Sequence, residues 1–147
     1  MTRSRFTLLT ILLGLATSYV GGRVEASERS AQEGVYTAEQ AQRGRQVYEA
    51  ECASCHAPDM QGGPAARSLS GVTFRFLWQD STLAEFFDAM RNKMPPGKAG
   101  TLSEQAYVDL LAAILQRNDF PAGDRELEAE SAFLGETFIR WRSPEQN

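Results

Sequence analysis

Metal-binding residues are scarce in this chain: 147 residues carry two cysteines and one histidine. That scarcity excludes a structural zinc centre, which takes four ligands. No βαβ pattern surrounds the cysteines, so a thioredoxin-like dithiol has no setting here. No run of alternating hydrophobicity is long enough for a sheet, and the chain reads as all-α. Repeats and low-complexity segments are absent as well. The longest apolar run, Phe6 to Val20, is about 15 residues, short of the ~20 that span a bilayer. Basic charge is also in deficit, 15 Lys and Arg against 19 Asp and Glu, for a net of −4. An acidic chain is a poor partner for nucleic acid or an anionic membrane, and suits docking on a basic surface.

All three rare residues stand together in Cys52-Ala53-Ser54-Cys55-His56. C-x-x-C-H is the pattern of covalent c-type haem attachment. Two thiols three residues apart on a helical turn can each add to a haem vinyl group as a thioether. The next residue then offers an imidazole nitrogen to the iron. The competing reading is a Cys52–Cys55 disulfide in an oxidising compartment, with His56 incidental. The first 26 residues point to such a compartment. Arg3 and Arg5 form a basic start, the apolar run follows, and Val24-Glu25-Ala26 offers small residues at a signal-peptidase site. A cleaved signal peptide over 1–26 predicts a periplasmic protein with no stable membrane insertion after cleavage. No cysteine near position 26 is available to carry a lipid. Without Arg3, Arg5, Arg23 and Glu25 the net charge becomes −6.

The remainder has the size of one domain. Residues 27–37 are polar and aperiodic and read as a flexible lead-in. Thr37 is a candidate N-cap for a helix from Ala38 through Glu51 to the haem motif. Gly44, Tyr48 and Cys52 share a face of it. Glycine in mid-helix costs about 1 kcal/mol against alanine, which close approach of another helix would offset. Residues 57–73 hold Pro58, Gly62, Gly63, Pro64 and Gly71 and read as a loop along one haem edge. Thr82-Leu83-Ala84-Glu85 has the form of a capping box, opening a helix to about Lys93 with Leu83, Phe86, Phe87 and Met90 as its apolar stripe. Met94-Pro95-Pro96-Gly97 stops it. Ser103 caps a last helix, where Tyr107, Leu110, Leu111, Ile114 and Leu115 follow the helical period to Asn118.

From Ala38 to Gly123 these pieces resemble class I cytochromes c. The resemblance rests on Gly44-Arg45-Gln46-Val47-Tyr48 leading into the pentapeptide, the Gly-Pro loop, the Met-Pro segment some forty residues on and the terminal helix. The segment from Met94 to Gly123 resembles in particular the cytochromes associated with quinoprotein alcohol dehydrogenases. The resemblance implies the class I fold, three to five helices around one covalent haem c. A cytochrome c domain would then occupy 38–123, with 124–147 as a C-terminal extension.

The iron needs a second axial ligand opposite His56, and with no other histidine a methionine thioether is the strong-field choice. Met60 lies four residues past His56, and Met90 falls in the apolar stripe. Met94 sits at a proline-fixed helix end, where the resemblance places the family's axial methionine. His56 must also anchor its other ring N–H. The family uses a proline carbonyl, and Pro64 is the matching position, followed by Ala65-Ala66-Arg67 before Leu69. Trp78 reads either as core around the haem or, with Arg75 as the alternative, as a donor to a propionate. In the extension Leu127, Leu134 and Trp141 recur every seven residues, an apolar stripe to be covered by the domain itself or by a partner.

A His/Met haem has no coordination site left for substrate. The expected function is therefore one-electron transfer, from a dehydrogenase donor toward a respiratory oxidase or another cytochrome. The alternatives are a fixed haem c subunit of a larger oxidoreductase and, less favoured, a haem catalyst or ligand sensor. The lone histidine counts against a peroxidase.

Overall fold

The computed structural model describes residues 28–129 and 132–141. The signal peptide expected over 1–26, its cleavage near Ala26, and the end of the extension lie outside the described residues. Among the described residues there are six α-helices: α1 Ala38–Glu51, α2 Ala53–His56, α3 Gly71–Trp78, α4 Leu83–Lys93, α5 Glu104–Arg117 and α6 Ala132–Glu136. Two short strands, β1 Arg29–Ser30 and β2 Thr137–Phe138, pair in parallel. The fold is all-α, consistent with class I cytochrome c, and α3 is the helix beyond those expected. Among the described residues no helix is long and apolar enough to cross a membrane.

The helix starts follow the side-chain caps. Thr37 accepts from the Gln40 amide, Thr82 and Glu85 cap each other's backbone amides, and Ser103 accepts from the Ala106 amide. Each cap satisfies donors that the first turn leaves without intrahelical partners. The central packing is α1 across α5. A Cβ at Gly44 would stand 1.8 Å from the Asp109 carbonyl oxygen, so the missing side chain is what lets the two backbones meet. Arg43, one residue earlier, grips the buried Asp109 carboxylate with two hydrogen bonds of 3.0 Å each. The same guanidinium holds Glu126 in the extension at 2.8 and 3.0 Å.

α3 occupies the C-terminal part of what reads from sequence as loop and aromatic cluster. Its apolar run is short and rich in β-branched and aromatic residues, which periodicity alone cannot assign. Phe74 is its buried anchor, edge-on to Phe86 of α4 with centroids 5.3 Å apart. Val72 and Phe76 project from the opposite side, 87% and 86% exposed. Asn118 joins this helix to the end of α5. Its amide donates to the Leu69 and Ile114 carbonyls at 2.9 and 2.8 Å and accepts from the Gly71 amide at 3.0 Å.

The extension is covered by the domain itself. Leu127 and Leu134 are each 2% exposed and Ile139 is fully buried. Gln40 of α1 bonds both backbone groups of Leu127, at 3.0 and 2.8 Å. Trp141 stacks against Phe120 with centroids 4.8 Å apart and lies edge-on to Phe74. Among the described residues of this stretch only Ala132–Glu136 is helical, and β2 follows it directly. The lead-in read as flexible is built into this arrangement. Ala31 and Tyr36 are fully buried, the Tyr36 hydroxyl donates to the Phe120 carbonyl at 2.5 Å, and β1 lies along β2.

Each large apolar side chain so buried is worth about 1.5–3 kcal/mol. Removing residues 124–147 should therefore lower the melting temperature of the haem-loaded protein by at least ~10 °C. Its visible spectrum should be unchanged, because every candidate iron ligand precedes residue 124. An unaltered melting curve would show that the tail contributes no stability.

Candidate functional site

The attachment pentapeptide is built on the end of α1. Cys52 closes that helix, its amide donating to the Tyr48 carbonyl, and α2 turns immediately afterwards through Ala53–His56. Both cysteines are free thiols; Cys52 is half-buried and Cys55 exposed. Burial, and then the charges of Glu51 and Cys55, push the Cys52 thiol up to about 11. His56 is 8% exposed. Its Nδ1 lies 2.8 Å from the Arg67 carbonyl oxygen. A carbonyl can only accept, so Nδ1 carries the proton and Nε2 keeps the lone pair a metal needs.

The acceptor is thus Arg67 and not the expected Pro64. The loop turns inward later than the proline position implies. The Gly63 amide donates to the Ala66 carbonyl at 2.8 Å, and the Gly62 amide donates to the His56 carbonyl at 2.9 Å. That compact turn leaves Pro64 exposed and brings the Arg67 carbonyl to the ring. The three residues Ala65-Ala66-Arg67 were the sequence signal for this shift.

Ala57, directly after His56, has φ 66° and ψ 153°. That region is sparsely populated by residues other than glycine and costs of order 1–3 kcal/mol. The Tyr48 hydroxyl donates to its carbonyl at 2.6 Å. Burial pushes that hydroxyl up to about 12, with smaller contributions from Cys52 and Asp59, so it remains a donor throughout the neutral and mildly alkaline range. The sequence places Tyr48 on one face with Gly44 and Cys52 but carries no signal for this bond.

Met94 is the C-cap of α4, 36% exposed, with its amide bonded to the Met90 carbonyl at 2.8 Å. The Met94–Pro95 peptide is cis. Met60 and Met90 are buried, at 5% and 9% exposure, within the apolar core. Trp78 is half-buried and packs on Phe86 with centroids 4.6 Å apart. Arg75 lies over the Trp141 ring at 5.2 Å from its centroid. Two cavities among the described residues measure about 340 and 250 Å³. The larger lies between the lead-in and the extension, and the smaller over Tyr48, Pro58 and Arg117.

Residues 39–112 match the family described as cytochrome C oxidase, cbb3-type, subunit III, half of the chain. The chain belongs to this family of c-type cytochromes. No curated protein and no solved structure matches it. The cofactor of such a domain is haem c, bound covalently, and its function is haem-based electron transfer. The donor set fits that group: two unpaired thiols on one turn, and next to them an imidazole whose Nδ1 proton is engaged by a carbonyl, leaving the Nε2 lone pair to coordinate.

Relief of the Ala57 conformation is testable. Ala57→Gly removes strain of order 1–3 kcal/mol, against about 0.5–1 kcal/mol of added chain entropy. The variant should be more stable by about 1 kcal/mol in urea denaturation, with an unchanged slope. A lower midpoint would show that Ala57 is unstrained.

Proposed function

We propose that this cytochrome is a periplasmic one-electron carrier whose haem c is attached through Cys52 and Cys55, with His56 and Met94 as axial ligands. The observation that carries the reading is the His56 ring. It is buried, fixed by the Arg67 carbonyl in the tautomer that coordinates through Nε2, and directly follows two free thiols. Bound haem would supply reversible one-electron exchange between ferrous and ferric iron. The chain's own residues orient and exclude. Arg67 fixes the plane of the proximal imidazole, and Tyr48 holds the turn after it. Phe74, Phe86 and Trp78 pack on one another, with Trp78 or Arg75 available to a propionate. A thioether from Met94 would raise the reduction potential and complete the coordination, leaving no site for substrate. Val72 and Phe76 offer exposed apolar surface of the kind used in small, transient redox contacts.

The proposed electron donor is a dehydrogenase, and the resemblance of residues 94–123 favours the quinoprotein alcohol dehydrogenase class. The acceptor is an oxidase or another cytochrome. The export signal of residues 1–26 supports the periplasmic location. A second reading, a fixed haem c subunit of a larger oxidoreductase, is favoured by the description of the matching family as an oxidase subunit. Co-purification with a large complex at high salt would select it over a free shuttle.

Denaturing mass spectrometry of the exported protein should give the chain without residues 1–26 plus one haem. Bare polypeptide, or haem extracted by acidified solvent, would sink the attachment. Met94→Ala should abolish the weak far-red charge-transfer band of thioether–ferric ligation and lower the reduction potential. Met60→Ala and Met90→Ala should keep the band, and its loss in Met90→Ala instead would move the ligand back one helical turn.

A further inference from the structure

Tyr107 reads from sequence as one more apolar position on α5, yet its hydroxyl does something that packing does not require. The side chain is 1% exposed, in the first turn of α5, and its ring meets Phe87 of α4 edge-on at 6.2 Å. The hydroxyl donates to the Met94 carbonyl at 2.8 Å and accepts from the Gly100 amide at 3.0 Å. It therefore closes the turn between α4 and α5 at both of its ends. The turn's other backbone bonds are internal, Lys98 to the Pro95 carbonyl at 2.9 Å and Thr101 to the Lys98 carbonyl at 3.2 Å. Every residue from Arg91 to Gly100 is exposed except Pro95, which is half-buried. Beyond an exposed ion pair of Arg91 with Glu104 at 3.3 Å, little else anchors this segment.

The Met94 backbone is consequently held at two points. Its amide is tied to α4 through Met90, and its carbonyl is tied to α5 through Tyr107. The thioether itself is partly exposed, and its aim is set by the backbone that carries it. Resting on the reading of Met94 as the sixth ligand, we propose that Tyr107 is a positioning residue for that ligand, its hydroxyl governing how readily Met94 leaves the iron. If the turn must release the Tyr107 hydroxyl when Met94 swings away, that hydrogen bond is lost in the open state only. Deleting it raises the population of the open state by the same factor.

The test uses ferric haem-loaded protein titrated with imidazole, which competes with a methionine ligand. Tyr107→Phe should bind imidazole roughly three- to tenfold more tightly than the wild type, with the far-red band fading at correspondingly lower imidazole. Tyr36→Phe is the matched control. Its hydroxyl is also buried and donates to a backbone carbonyl, that of Phe120, away from this turn. It should leave imidazole affinity at the wild-type value. Equal affinity in Tyr107→Phe and the wild type overturns the proposal, as does an equal rise in both tyrosine variants, which would reflect general loosening. A measurement without substitution guards against a variant that does not fold. The Gly100 amide should lose its protection from hydrogen exchange when imidazole binds to the unmodified protein, and protection retained in the imidazole complex counts against the proposal. A wild type without the far-red band, and with the imidazole affinity of Met94→Ala, removes the ligand assignment and the proposal together. A wild type with the band and an insensitive Tyr107→Phe removes the proposal alone.

Discussion

Where Gly44 meets the Asp109 carbonyl, α1 and α5 are too close for even one side-chain carbon between them, and the positions on either side follow from this contact. Tyr48 lies one turn beyond Gly44, and Tyr107 two residues before Asp109. Their hydroxyls reach, respectively, the carbonyl after His56 and the carbonyl of Met94. The two helices thus act as a common frame for the haem motif and the Met-Pro turn. The Arg43–Asp109 pair fastens that frame where it is narrowest. A buried carboxylate needs such a partner, since burial without one is costly. Gln105 supplies Asp109 with a further hydrogen bond at 2.8 Å.

The extension depends on the same frame from outside. Arg43 reaches past Asp109 to Glu126, and Gln40, one turn earlier, pairs with the Leu127 backbone. Further along, Arg140 links Glu28 and Asp80, while the Ile139 and Ser81–Asp80 backbones exchange hydrogen bonds of 2.8 and 3.0 Å. The corner between α3 and α4 is therefore closed by residues from both chain ends. Exposed ion pairs of this sort contribute little individually. The fully buried Gln40 amide, with both its polar atoms satisfied by one residue of the tail, is the stronger tie.

How much of this was legible in the sequence depends on the range of the interaction. Thr37, Thr82 and Ser103 mark helix starts because capping is a local contest for amides within a few residues, and the three long helices begin after them. The C-x-x-C-H turn is equally local. Gly44 announced a close approach by the cost of glycine inside a helix. α3 was not legible, because a run of eight residues with glycine at its head and mixed aromatic and β-branched character has no distinct period. The His56 acceptor was set by how a glycine turn folds over three inserted residues, which the spacing of Pro64 could not express. The sevenfold stripe of Leu127, Leu134 and Trp141 signalled surface to be covered. Its cover came from Gln40, Phe74 and Phe120, whose proximity arises only in the folded chain. A two-residue parallel pair such as β1 with β2 leaves no trace in composition.

The Ser30 hydroxyl reaches the Arg140 carbonyl at 3.2 Å across 110 positions of chain. Loops of that length close late, because their entropy must be lost before their contacts repay it. The turn carrying Cys52, Cys55 and His56 needs only neighbours a few residues away. The thiols of that turn can therefore be in place before the clasp between Ser30 and Arg140 closes.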